Sequence, residues 1–169
     1  MNRESRTGKP AIIDVEASGF GSHSYPIEVG VVTGDDERYC SLIMPPAHWT
    51  HWDEEAQKVH RIERDELELH GRSAREVASQ LNELLQGETV YSDGWVVDKP
   101  WISSLFHEAG IEMAFYVSSL ELILSESQMD CWHHLRDEVV ADSGLERHRA
   151  SNDAWIVQET WWRSRQQAC

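Results

Sequence analysis

Five polar side chains stand at positions where a purely structural role does not obviously need them. Asp14 and Glu16 interrupt the apolar run Ala11-Ile12-Ile13-Asp14-Val15-Glu16-Ala17, Asp98 follows the turn-rich stretch Tyr91-Ser92-Asp93-Gly94, and His148 precedes Asp153 by five positions. Residues two apart on a strand share a face, so Asp14 and Glu16 project side by side, just before a turn at Ser18-Gly19. Two buried anions placed so closely repel one another. Carboxylates gathered in this way either move protons or hold cations that prefer oxygen ligands. Taken singly, each group has a plainer account. Asp14 caps a turn while Glu16 is solvated; Asp98 is the N-cap of the helix that Pro100 opens; His148 and Asp153 are a capping or surface pair.

The elements around these residues follow from periodicity and turn chemistry. Ala11–Val15 and Pro26–Thr33 are β-branched runs separated by Gly19, Gly21, Ser22 and Ser24, and Gly34-Asp35-Asp36-Glu37 turns the chain into a third strand that Pro45-Pro46 stops. Three strands on short links make an antiparallel meander. Helical spacing then takes over: Ala56, Val59 and His60 after Asp53, and Val77, Leu81, Leu84 and Leu85 after Ser73. A strand at Glu88–Tyr91, a helix at Lys99–Ala109 and a strand at Ala114–Val117 come next. Met129, Trp132, Leu135 and Val139 mark another helix, and Ser151–Arg163 the last. The expected fold class is α/β: a mixed five-stranded sheet, antiparallel meander plus parallel strands, flanked by helices.

The bulk numbers bound what such a domain can do. A chain of 169 residues suits one domain; we expect residues 1–8 to form a flexible tail and 9–169 a single unit. Three cysteines without a C-x-x-C spacing argue against a disulfide framework or a thiol-rich zinc site. No stretch approaches the apolar length of a membrane span, and Met1–Lys9 is polar rather than signal-like. The expectation is a cytoplasmic protein with no membrane partner. A net charge of −15, from 30 acidic against 15 basic residues, disfavours anionic membranes and extended contacts to long nucleic acid. Carboxylates that hold divalent cations would still let an acidic protein act on a phosphodiester, because the metal supplies the local positive charge.

In combination, order and separation make the motifs specific. Asp14-Val15-Glu16-Ala17-Ser18-Gly19 resembles the first motif, D-x-E-x-T/S-G, of the DnaQ-like DEDD 3′-to-5′ exonucleases, and Pro26-Ile27-Glu28-Val29-Gly30 is similar to the segment that follows it there. Asp98 falls at the aspartate of the second motif. His148 and Asp153 match the H-x-x-x-x-D of the DEDDh branch, and Ala56–Ile62 looks like that family's helix ending in histidine and glycine, with Arg61 in place of the glycine. Ser18 stands where threonine is commoner, and Asp93 where an asparagine usually precedes the second aspartate.

The resemblance implies an RNase H-like fold in which Asp14, Glu16, Asp98 and Asp153 bind two divalent cations, Mg2+ or Mn2+, and His148 acts as general base. An unperturbed imidazole titrates at about 6.5, which suits it to deprotonating water near neutrality. By the same resemblance Ala17, Ser18, Gly19 and Phe20 line the pocket for the 3′-terminal nucleotide, with Phe20 either packing on the base or folded onto the core. Lys99 and Arg149 flank proposed ligands, either touching phosphate or solvated. His48 and His51 fit an H-x-x-H pair without a third ligand. The implied activity is metal-dependent hydrolysis from the 3′ end of single-stranded DNA, RNA or short oligonucleotides to nucleoside 5′-monophosphates. Two other functions fit the same chain: a non-catalytic nucleic-acid-binding or regulatory module, and a proofreading subunit partnered by a polymerase. The resemblance also admits a homodimer, since dimers occur among stand-alone relatives.

Overall fold

A computed structural model describes residues 8–166; the expected tail, apart from Gly8, lies outside them. The apolar runs form β1 (Ala11–Ala17), β2 (Pro26–Val32) and β3 (Arg38–Leu42). The helical patterns form α1 (Glu54–His60), α2 (Arg64–His70) and α3 (Ala74–Leu85). Then come β4 (Thr89–Ser92), α4 (Trp95–Ala109), β5 (Tyr116–Ser119), α5 (Glu126–Ser143) and α6 (Ala150–Gln166). The strands make one five-stranded sheet in the order β3-β2-β1-β4-β5. β1 pairs antiparallel with β2 and β2 with β3, whereas β4 and β5 run parallel to β1. The expected meander and the parallel extension are both present, with β1 at the centre.

Helices cover both faces, and the pleat of β1 sorts its residues between them. Ile13 and Val15, with Val29 and Val31 of β2, pack against Val77, Leu81 and Leu85 of α3 and Ile102, Leu105 and Phe106 of α4. Ile12 and Val32 face the other way, onto Trp132 of α5 and Ala154, Val157 and Trp161 of α6. Asp14 and Glu16 share a face with Ile12, so the two carboxylates stand on the α6 side of the sheet.

Three elements depart from the sequence expectation. Helix α4 begins at Trp95 with Gly94 as its N-cap, so Trp95-Val96-Val97 is the first helical turn and Asp98 lies inside the helix rather than capping it. Helix α2 is not among the expected elements, because only Leu67 of its seven residues is buried and its capping box uses Glu63 and Glu66 instead of a serine. Strand β5 runs two residues later than expected. Among the described cysteines Cys40 is free and exposed. No helix among the described residues is long and apolar enough to cross a membrane.

Candidate active site

The parallel strands β1 and β4 end at the same edge of the sheet, which is where ligands bind in open α/β folds. Beside that edge is a cavity of about 290 Å3, lined by Asp14, Glu16, Ala17, Gly19, Phe20, Asp98, His148 and Asp153, with Val59, His60 and Trp101 across from them. Residues from four separated parts of the chain therefore meet in one place. Asp93, which stands where the resembling family usually has an asparagine, is exposed and lines two neighbouring grooves instead.

Each group is held by its own local structure. Asp14 and Glu16 are half-buried on the central strand. Asp98 is buried in α4 and accepts a hydrogen bond from Ser92 Oγ at 2.6 Å. Asp153, buried in the first turn of α6, accepts from Arg147 Nε at 2.7 Å and from the His148 backbone N–H at 3.1 Å. Both helix-borne aspartates lie near helix N-termini, where the helix dipole favours negative charge. His148 is exposed and adopts φ 63°, a left-handed conformation that histidine tolerates better than most residues. Its ring comes close to two carboxylates: ligand atoms of Glu16, His148 and Asp153 all lie within 4.8 Å of one another.

The electrostatics of the cluster are unfavourable as it stands. Burial, reinforced by Asp98, Glu16, Asp93 and Asp153, holds the Asp14 carboxyl well above its usual range. Burial together with Asp153, Glu28 and Asp98 pushes Glu16 up to about 8, against Arg147. Burial also pushes Asp98 up to about 7, opposed by the Ser92 hydrogen bond and aided by Asp93. Carboxyl groups that hold their protons towards neutrality for want of a counter-charge are suited to divalent cations with oxygen ligands, which would displace those protons. The donor set fits such ions, and Asp14, Glu16, Asp98 and Asp153 are the residues that would hold them.

The loop after β1 is tied down on several sides. Ser18 is fully buried; its Oγ accepts from the Tyr25 N–H at 3.1 Å and lies 2.9 Å from His51 Nδ1. Gly19 has φ 153°, and a Cβ there would meet Asp53 Cβ and His51 Cε1 at 2.7 Å, so the first motif needs glycine for space as well as conformation. Phe20 is 74% exposed, its ring centroid 6.2 Å from that of Trp101. It is therefore not folded into the core, the second of its two sequence readings. Lys99 is exposed and lies over the Trp95 ring, whereas Arg149 is committed to Glu28. His48 pairs with Glu108 at 2.9 Å and His51 with Ser18, so the H-x-x-H pair is divided between different partners.

Several residues of this neighbourhood carried no role in the sequence reading. Arg147, Ser92 and Glu28 hold or approach the carboxylates. His60 is buried, accepts the Ile62 N–H on Nδ1 and leaves Nε2 without a partner; burial lowers its pKa. One signal was available for Glu28: an acid inside the otherwise apolar Pro26–Val32 run must find a cation when that strand is buried.

No protein-family profile matches the chain, and no curated protein does. The α/β fold is nonetheless one that solved structures share. Exonuclease I of E. coli in complex with a dA16 oligonucleotide shares it with a TM-score of 0.71 at 12% identity, over 95% of this chain and 41% of that one. Its dT13 complex aligns with a TM-score of 0.67 at 12% identity, over 95% and 41%. The zinc-bound form of the same enzyme with single-stranded DNA gives 0.67 at 12%, over 90% and 40%. The chain thus spans about two-fifths of the length of these proteins, and the likeness is one of fold.

Proposed function

We propose that this protein is a metal-dependent 3′-to-5′ exonuclease that hydrolyses the terminal phosphodiester of single-stranded DNA, RNA or short oligonucleotides and releases nucleoside 5′-monophosphates. The observation that carries the reading is the convergence of Asp14, Glu16, Asp98, His148 and Asp153 on one cavity, in a domain whose fold matches exonuclease I.

In this reading the four carboxylates hold two divalent cations, Mg2+ or Mn2+. Bound there, such ions stabilise negative charge on the attacking and leaving oxygens of an in-line displacement at phosphorus. The chain's own residues do the rest. His148, exposed at the cavity mouth, takes the proton of the attacking water as general base. Arg147 and the His148 backbone N–H orient the Asp153 carboxylate. The backbone of Ala17 and Gly19 meets the terminal sugar, with Ser18 buried beneath them, and Phe20, Val59 and Trp101 offer apolar surface to its base. The net charge of −15 favours short substrates or delivery of the strand by a partner.

The test is a gel assay on 5′-labelled single-stranded RNA and DNA of one sequence, with manganese, magnesium or chelator. The expected result is a metal-dependent ladder that shortens from the 3′ end, its rate on each substrate giving the sugar preference. An unchanged band in every lane, with intact metal binding, would favour the non-catalytic binding module instead.

A further inference from the structure

Directly across the sheet from Glu16 stands a second glutamate. In the β1–β2 ladder Glu16 is paired with Glu28 and Asp14 with Gly30, so all four positions are on the α6 face. Like charges directly opposite one another destabilise a sheet, and Glu28 has no exposure to water. Its compensation comes from far along the chain. Arg149 donates to the Glu28 carboxylate through Nη2 at 2.7 Å and through Nε at 3.2 and 3.3 Å, and the Ala150 N–H donates to Glu28 Oε1 at 2.7 Å. Beside it, a Cβ on Gly30 would lie 2.2 Å from the Ala150 carbonyl carbon and the Ser151 nitrogen. The missing side chain is what lets the first turn of α6 lie on the sheet.

We infer that Glu28, Arg149 and Gly30 form a seat for the N-terminus of α6, and that Glu28 and Arg149 are positioning residues for His148 and Asp153. His148 lies between two arginines, each with its guanidinium on a buried carboxylate: Arg147 on Asp153 and Arg149 on Glu28. Held at both sides, the residue keeps its left-handed backbone conformation and its ring stays near Glu16 and Asp153. A bidentate arginine supplies the direction that a lysine would not. The roles of His148 and Asp153 in this inference rest on the proposed nuclease reading; the seat itself does not.

The test compares Glu28→Gln, Arg149→Gln and Arg149→Lys with the parent protein. Four quantities are read: melting temperature, Mn2+ affinity by calorimetry, amide hydrogen exchange over residues 146–153 in chelator, and kcat and KM on a short oligonucleotide. A seat predicts that both glutamine variants lose Mn2+ affinity and kcat by about 10- to 100-fold with KM little changed, and that exchange over 146–153 quickens. Arg149→Lys should fall between them and the parent, at a nearly normal melting temperature. The signs separate position from charge. If the pair acted only through charge, Glu28→Gln would weaken Mn2+ binding, but Arg149→Gln, leaving an extra anion beside Glu16, would strengthen it, and that outcome overturns the inference. So does a lowered melting temperature with parental affinity, exchange and kcat. Should the parent cleave nothing, the nuclease reading fails while affinity and exchange still decide the seat. Arg149 is partly exposed, so its variants keep the test open even if Glu28→Gln does not fold.

Discussion

At the scale of single residues, the proposed site is assembled from carboxyl groups whose burial and mutual repulsion oppose their charges. Asp14 brings a carboxyl into a cluster where burial, Glu16 and three neighbouring aspartates oppose its charge. Replacing it by asparagine removes that repulsion, so Asp14→Asn should abolish hydrolysis and weaken Mn2+ binding while the melting temperature in chelator stays level or rises. A melting temperature several degrees lower would mean that Asp14 has a structural role instead. For His148 the expectation is different, because no ligand is lost if it serves as base. His148→Ala should lower kcat by about 10^2- to 10^4-fold and leave Mn2+ affinity, read by calorimetry, close to the parent's; full activity in either purified variant would remove that residue from the site. Ser92 acts through Asp98, whose pKa its hydrogen bond lowers. Ser92→Ala should therefore reduce Mn2+ affinity by about tenfold at neutral pH, and the deficit should shrink as pH rises and Asp98 ionises without help.

Elements matter here chiefly through how closely their ends approach. The first turn of α6 sits on β2 only because position 30 is glycine, and a Cβ there would collide with backbone rather than with a movable side chain. Gly30→Ala should cost about 1–3 kcal/mol or more and should lower Mn2+ affinity as well, since the turn it displaces leads directly to Asp153; denaturant melts and calorimetry measure the two effects separately. The end of α1 gives the opposite case. Arg61 occupies the helix's left-handed cap at φ 57°, the conformation that explains why the resembling family has glycine there. Its guanidinium pairs with Glu146 in the loop before His148. Glycine at this position would relieve up to about 1 kcal/mol of backbone cost but release an exposed ion pair of about the same small size. Arg61→Gly should therefore leave the melting temperature within a few degrees, whereas Gly30→Ala should not.

For the molecule as a whole, the carboxylate cluster couples stability to pH and, under the proposed function, to metal. Glu16 and Asp98 hold their protons in the folded chain up to about 8 and about 7, well above where the same groups ionise when unfolded. The unfolded state therefore releases these protons first as pH rises. The stability they contribute is complete below about pH 4 and declines until pH has passed about 8. In chelator, then, the melting temperature should fall between pH 5 and 8, and Mn2+ should restore it most at the alkaline end, where no proton has to be displaced. Calorimetry near pH 7, run in buffers of different ionisation enthalpy, should show protons released as Mn2+ binds. A melting temperature that rises with pH in chelator would contradict this account of the cluster.

Much of this organisation can be read from local signals, and the remainder cannot for a common reason. The apolar runs and helical spacings determine the meander, the alternating strands and helices after it and the placement of Asp14 and Glu16 on one face, because period and turn chemistry act over a few residues. The amino-acid sequence also supplies the order of the motifs that draws Asp98, His148 and Asp153 into one reading. It does not tell that Asp98 lies within a helix, since Trp95-Val96-Val97 has the β-branched look of a loop or strand and yet forms the first turn of α4. Nor does it tell that Glu28 is held by Arg149, 121 residues away, or that Gly30 is reserved for the backbone of Ala150 and Ser151. Such contacts carry no local pattern: a buried glutamate announces that it needs a partner, but which cation reaches it, and what is aimed by that contact, is decided when α6 folds back onto the central strands.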